Sequence, residues 1–197
     1  SMCWGANLLG NTNSSVNGTR VEMGSTGDAH TSISVGTGHG CGIVAEEAYC
    51  WGDNTNGQLG LGTGFPTSSM SPLGVQEPND WTAIEIETSE GGASTCGLFE
   101  NSGTTRVYCW GDGSQGALGN DASYGDDVGP ESPVAVGPFW FDPEITPQAS
   151  SNDLEIAFFR PAQIAAGQYH FCALSVQGLV KCWGYNHYGQ LGQENTT

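Results

Sequence analysis

Apolar residues in this chain come in short runs, bounded by Gly, Pro, Asn and Ser, a pattern of strands and tight turns. The clearest runs predict strands at Thr31–Val35, Cys41–Val44 and Ala48–Trp51, and again at Thr82–Thr88, Thr95–Glu100 and Thr105–Trp110. Side chains alternate across a strand, so Val107 and Cys109 share one face while Tyr108 and Trp110 share the other. Val180 and Cys182 likewise oppose Trp183, with Lys181 on the Trp183 side and needing an edge for its charge. Both faces are apolar. Such sheets must be covered on both sides, as in stacked blades, and fit less well in a sandwich with one wet face.

The same text recurs. Cys182-Trp183-Gly184-Tyr185-Asn186-His187-Tyr188-Gly189-Gln190-Leu191-Gly192 is matched by Cys50 to Gly60 and by Cys109 to Gly119, and in shortened form by Cys3 to Gly10. Upstream, Ile33, Gly36, His39 and Cys41 repeat with the same offsets as Ile164, Gly167, His170 and Cys172. The third copy keeps Ile84, Ile86 and Cys96 but has Ser94 in place of the His. A fixed internal period means that each copy is one structural unit stacked on the next.

One domain over residues 3–197 follows, with a half repeat at 3–13 and full repeats at 30–62, 81–119 and 161–193. Residues 14–29 read as a loop or a poorly patterned strand, and 63–80, with Pro66, Pro72 and Pro78, as a connector. Residues 120–160 form an acidic insertion carrying Asp121, Asp126, Asp127, Glu131, Asp142, Glu144, Asp153 and Glu155. Ser1-Met2 reads as a remnant of expression cloning, and a chain that opens inside a repeat reads as a piece of a longer protein.

These motifs resemble the RCC1-like (regulator of chromosome condensation) repeat family of β-propellers: a strand, Gly, His, a short strand, then Trp-Gly, Asn and Gly-Gln-Leu-Gly. The resemblance implies an all-β fold of about three and a half four-stranded antiparallel blades. It also implies action through protein–protein contact, since the family includes an exchange factor for a small GTPase, a β-lactamase inhibitor and scaffolds within larger proteins. No cofactor is implied. A fold of this kind hosts many functions, so the partner has to be read from the site.

Charge narrows the partners. Four Lys and Arg stand against 21 Asp and Glu, a net charge of −17. Nucleic-acid binding needs a basic footprint that four cations cannot supply. The photoreceptor variant of this fold uses clustered Trp beside Arg, whereas Arg here is confined to Arg20, Arg106 and Arg160. No apolar run approaches the roughly 18 residues of a membrane span.

Six of the seven Cys fall into local pairs by repeat position: Cys41 with Cys50, Cys96 with Cys109, and Cys172 with Cys182. Each pair lies on neighbouring antiparallel strands, where opposed Cβ atoms come within about 4.5–5.5 Å, close to disulfide geometry. Disulfides are the leading reading, and reduced structural thiols the alternative. Zinc is disfavoured, because no two Cys have the short ligand spacing it needs. Disulfides imply an oxidising compartment, so the chain is expected to be secreted or at a cell surface. The sequons at Asn13, Asn17 and Asn195 agree weakly. Cys3 lacks an upstream partner and is expected to be a free thiol or a crosslink between chains.

No catalytic motif is present: no Gly-x-Ser-x-Gly, no His-Glu-x-x-His and no P-loop. His39 and His170, repeated at one position, read as structural hydrogen-bonding groups. Asp53-Asn54-Thr55-Asn56-Gly57 has the look of a calcium loop but lacks the terminal acid, and reads as a turn. Function is therefore expected to be non-enzymatic binding, with Phe139, Trp140 and Phe141 in the insertion as candidate anchors. The competing fate of those aromatics is an edge strand packed on a blade. A structural repeat of an adhesin-like surface protein is a second reading. A carbohydrate-active enzyme using the acids of the insertion is a third. The partner is an unspecified protein, and ring completion by a second copy or by further repeats is expected, because an open arc of blades leaves exposed edges.

Overall fold

The computed structural model describes residues 2–5, 15–20, 23, 30–62, 65–76, 80–119, 134–135 and 159–192. Among these, every regular element is a strand. The first full blade holds β3 (His30–Val35), β4 (His39–Val44), β5 (Glu47–Asp53) and β6 (Ser68–Gly74) in the order β3-β4-β5-β6. The second holds β7 (Thr82–Thr88), β8 (Ser94–Asn101), β9 (Thr104–Gly111) and the short β10 (Val134–Ala135). The third holds β11 (Pro161–Ala166), β12 (His170–Ser175) and β13 (Val180–Gly184), and a two-stranded sheet of β1 (Met2–Gly5) and β2 (Ser15–Arg20) precedes them all. All pairings are antiparallel.

Two stretches without a clear strand pattern join sheets. Residues 15–20 pair with β1, so the half repeat begins as a hairpin. The connector supplies β6, a fourth strand with Pro72 inside it. β6 is the last strand of its sheet, where one side of the backbone needs no partner and Pro is tolerated. Its pairing with β5 breaks register between Cys50 and Gly52. The third blade has three strands among the described residues, against the four expected.

The cysteines pair as their spacing indicates: Cys41–Cys50, Cys96–Cys109 and Cys172–Cys182. Each links directly opposed residues of the two middle strands. Cys3 lies in β1, but its side chain, and with it the free-thiol expectation, is outside the described residues.

The core lies between blades. Cys41, Ile43, Ala48, Cys50 and Leu59 of the first full blade meet Ile86, Phe99, Tyr108 and Trp110 of the second. Cys96, Leu98, Val107, Cys109 and Leu118 of the second meet Ile164, Phe171 and Trp183 of the third. Each blade therefore has two unlike faces: the disulfide face points forward and the Trp face points back. Lys181, on the Trp face, places its ammonium 5.4 Å from the Phe159 ring centre, a cation–π contact that keeps the charge at the rim.

Two bonds lock each pair of blades. The Trp110 indole N–H donates to the Gln58 carbonyl at 2.9 Å, and Trp183 donates to the Ala117 carbonyl, one repeat later, at 3.0 Å. On the innermost strands, Ser32 Oγ accepts the Ile86 N–H, and Glu85 Oε2 accepts the equivalent Ile164 N–H at 2.7 Å. The indole fits because Gly60 has no side chain: a Cβ there would lie 2.8 Å from Trp110 Nε1, at a φ of +65°. Gly60→Ala is expected to cost about 2 kcal/mol or more by chemical denaturation. Gly103 also has positive φ but nothing within 4 Å of a Cβ, so Gly103→Ala isolates the backbone strain and should cost clearly less.

The disulfides differ in cover. Cys41, Cys50, Cys96 and Cys109 are fully buried by the following blade, whereas Cys172 and Cys182 are half-buried. Under limiting reductant with alkylation in native buffer, Cys172 and Cys182 are expected to label first. The other two pairs are expected to label only on unfolding.

Candidate functional site

His39 stands at the first blade junction. It is buried, and its Nε2 lies 2.8 Å from Thr95 Oγ1 of the next blade. The Thr95 hydroxyl donates its one proton to the Gln58 carbonyl at 3.0 Å, so it must accept from His39, which fixes the Nε2–H tautomer. The carbonyl that holds Trp110 thus also holds this His–Thr relay. Burial lowers the His39 pKa from its ordinary 6.5 to about 4, against the opposing pull of Asp53. The histidine is structural, as its repetition indicates. In the second full blade, Ser94 takes the position and turns inward, donating to the Asp112 carbonyl. His170, the third copy, is half-buried, and among the described residues no further blade supplies a threonine.

The Asn and Gln of the repeat are turn builders. Asn54 Oδ1 accepts the Leu59 N–H at 3.0 Å, and Asn186 Oδ1 accepts the Leu191 N–H at 3.0 Å. Gln58 Oε1 accepts the Asn56 N–H, as Gln190 Oε1 accepts the Tyr188 N–H. Asp53, the first acid of the calcium-like stretch, binds Thr55 N, Thr55 Oγ1 and the Gln58 amide. Its carboxylate is thereby committed to the turn. Among the described residues no cluster of three or more His, Cys, Asp or Glu is placed to hold a metal ion.

The last blade departs from this rule. Where the earlier copies have Asp53 and Asp112 it has Tyr185, where they have Asn56 and Gln115 it has Tyr188, and where they have Gly38 and Ala93 it has Tyr169. Tyr185 meets Tyr169 edge-on at 6.1 Å and Tyr188 edge-on at 6.2 Å, and His187 stacks on Tyr185 at 6.0 Å. The three tyrosines, with Gln168, His170 and Gln190 and with Ser114 and Gln115 of the preceding blade, line a cavity of about 520 Å³. Its position is set by the β7–β8 turn, whose Gly91 and Gly92 N–H groups both donate to the Gln168 carbonyl. A Cβ on Gly91 would lie 2.2 Å from Gln168 Cγ, so the Gln168 side chain occupies the space that a larger residue there would need.

Phe139, Trp140 and Phe141, the anchors expected from the sequence, lie outside the described residues, as does almost all of the 120–160 insertion. The tyrosine cavity was not among the expected sites. Its signal was present in the most complete copy of the repeat: three aromatic rings at positions where the other copies carry Asp, Asn, Gln, Gly or Ala.

Two half-buried carboxyls, Glu85 and Glu87, sit on the innermost strand of the second full blade. Burial raises the pKa of each, opposed by the Ile164 N–H at Glu85 and by the Ser34 hydroxyl at Glu87. Raised carboxyl values mean that acid favours the folded state at these two sites. His39 acts in the opposite sense: its folded pKa lies below its unfolded one, so the unfolded chain binds more protons between pH 6.5 and about 4. Stability contributed by His39 is present above that window and lost as pH falls through it, amounting to roughly 3 kcal/mol. His39→Gln, which keeps an N–H donor but cannot titrate, is expected to flatten the loss of denaturation free energy between pH 6.5 and pH 4. An unchanged slope would assign the acid sensitivity elsewhere.

Comparison with known proteins matches this architecture. The pattern described as "Regulator of chromosome condensation (RCC1) repeat" matches residues 46–91 and 106–174, and a second pattern of that description matches 162–190. The human protein described as "Probable E3 ubiquitin-protein ligase HERC6" is 29% identical over 163 residues, which are 81% of this chain and 13% of that protein. The crystal structure of human WBSCR16 superposes with a TM-score of 0.73 at 21% identity, over 99% of this chain and 45% of that one. Prp20p from Saccharomyces cerevisiae, a structure described together with its binding to Gsp1p and histones, gives 0.53 at 20% identity over 83% of this chain and 34% of its own. The chain thus spans under half of each of these relatives. The repeat pattern matches more than half of the chain and the fold agrees, and the chain belongs to the RCC1 repeat family of β-propellers.

Proposed function

We propose that this chain is a non-enzymatic protein-interaction scaffold, completed through the open forward face of its third blade by the Trp face of another RCC1-type blade. The contrast between equivalent positions carries this reading. On the third blade, Leu174 and Val180 face each other across β12 and β13, next to the Cys172–Cys182 bridge. They are 37% and 63% exposed, whereas Ile43 and Ala48, and Leu98 and Val107, at the same positions, are buried. The Trp face of the first full blade, by contrast, is covered, with Trp51 and Val44 buried against Met23, although Ile33 is exposed there at 51%. The open forward face is of the kind that meets a Trp face at each internal junction.

A further blade of this type would supply the missing face, whether it came from a second copy of the chain or from further repeats of a longer protein. The non-enzymatic part of the reading is supported by the structural employment of His39, Asp53 and Glu85. A secreted or surface location is supported by the three disulfides. The binding role accords with Prp20p, the relative described by its binding to Gsp1p and histones.

Sedimentation velocity over a range of concentrations is expected to show reversible self-association of this chain. Val180→Arg, which places a charge on the open face, is expected to abolish it without lowering the melting temperature. A chain that stays monomeric at high concentration would refute completion by a second copy. Association untouched by Val180→Arg would move the contact to another surface.

A further inference from the structure

We propose that the tyrosine cavity of the third blade binds a proline-rich peptide flanked by basic residues, held in the polyproline II conformation. The proposal rests on the scaffold reading and names the chemistry of one partner. Tyr188 occupies the position of Asn56, which is exposed, and of Gln115, which is half-buried beside the third blade. The Tyr188 ring is 84% exposed here.

Three features select the ligand. The first is ring geometry. Tyr185 is crossed at 74° by Tyr169 and at 77° by Tyr188, which leaves notches between perpendicular aromatic faces. His187 stacks on Tyr185 at 18° and meets Tyr188 edge-on at 5.1 Å, so both rings are braced before any ligand arrives. Flat, rigid notches suit pyrrolidine rings, and aromatic-lined grooves are the usual receptors of polyproline II segments. Such a peptide is already ordered when free, so little entropy is lost on binding.

The second is a donor without its usual acceptor. In the first full blade the Gln58 amide N–H donates to Asp53 Oδ2 at 3.0 Å. In the third blade Gln190 keeps the other half of that arrangement, its Oε1 accepting the Tyr188 N–H at 2.9 Å, but Tyr185 replaces the carboxylate. The Gln190 amide thus brings a donor to the cavity wall with the repeat's own acceptor removed. A proline-rich backbone, with free carbonyls and few N–H groups, supplies what is missing.

The third is charge. The residues lining the cavity carry no carboxylate, guanidinium or ammonium. This disfavours phosphorylated ligands and provides no charged side chain to grip the vicinal hydroxyls of a sugar. Just beyond the cavity, Glu90 lies in the turn that carries Gly91 and Gly92, and Asp112 accepts the Ser114 N–H, in a protein of net charge −17. The apolar segment belongs in the cavity and the basic flanks belong at its rim.

The test is a titration of the full chain with a fluorescein-labelled proline-rich peptide bearing arginine at each end, read by anisotropy. Saturable binding is expected, weakened at least about tenfold by Tyr188→Ala, a change at a solvent-exposed ring that should leave the melting temperature in place. Replacing the two arginines by glutamates should weaken binding further and reverse its response to salt. No binding to the wild-type chain, or equal binding to Tyr188→Ala, would overturn the proposal. So would saturable binding of a neutral glucan oligosaccharide that the peptide fails to displace. Because self-association is read separately by sedimentation, loss of peptide binding in a chain that still associates through Val180 would discard this site and leave the scaffold reading standing.

Discussion

Everything in this architecture hangs on one backbone carbonyl per repeat. The Gln58 carbonyl receives the indole N–H of Trp110 and the hydroxyl of Thr95, both from the next blade. Trp is the largest apolar side chain available, but burying it whole leaves one N–H to satisfy, and an unpaired buried donor costs about 1–3 kcal/mol. The repeat solves this by presenting a carbonyl at a fixed place. Asn54 and Gln58 hold the turn from within, and Gly60 leaves room for the ring. The repeat motif is the chemical description of that one contact, seen from both sides.

From this follows the polarity of each blade. The Trp face is recessive: it needs a carbonyl from its neighbour. The disulfide face is donating: it offers the carbonyl and a flat apolar patch around the bridge. Unlike faces can stack indefinitely in one direction, so the forward face of the third blade, with Leu174 and Val180, is left open among the described residues. The disulfides sit on the forward face of the middle strands, where they hold a hairpin whose only other cover is the next blade. Each closes a loop short enough to contribute roughly 3 kcal/mol in the chain-entropy view. Exposure of the last bridge is thus a consequence of blade order and not of its own geometry.

Against so regular a scaffold, departures from the repeat carry the functional information. The carboxylates of Asp53 and Asp112 serve their turns, and a repeat that replaces them with Tyr185 gives up hydrogen bonds that its siblings use. The rings are not consumed by the core: they lie at the rim of the blade junction, where Tyr188 is exposed and all three line the cavity. What is lost in turn chemistry is regained as a braced aromatic surface beside a cavity. The long β7–β8 turn, with its paired glycines, reaches across the blade junction to hold that surface in place.

The strands of the repeats, the two-faced blades and all three cysteine pairs were legible in the sequence. Each depends on interactions short in sequence: alternation along a strand, a hairpin register, a turn that only Gly permits. The strand at Ser68–Gly74 was hidden by its serines and by Pro72, because an edge strand is specified by the neighbour it pairs with and not by its own residues. The role of His39 in the fold was legible from its recurrence, but its partner Thr95 was not. The two lie 56 residues apart and meet only once two blades have stacked. The cavity is a tertiary product for the same reason. Ser114, Tyr169 and Tyr188 come from three separate turns, and stacking of successive blades, a contact at long range in the chain, is what brings them to one wall.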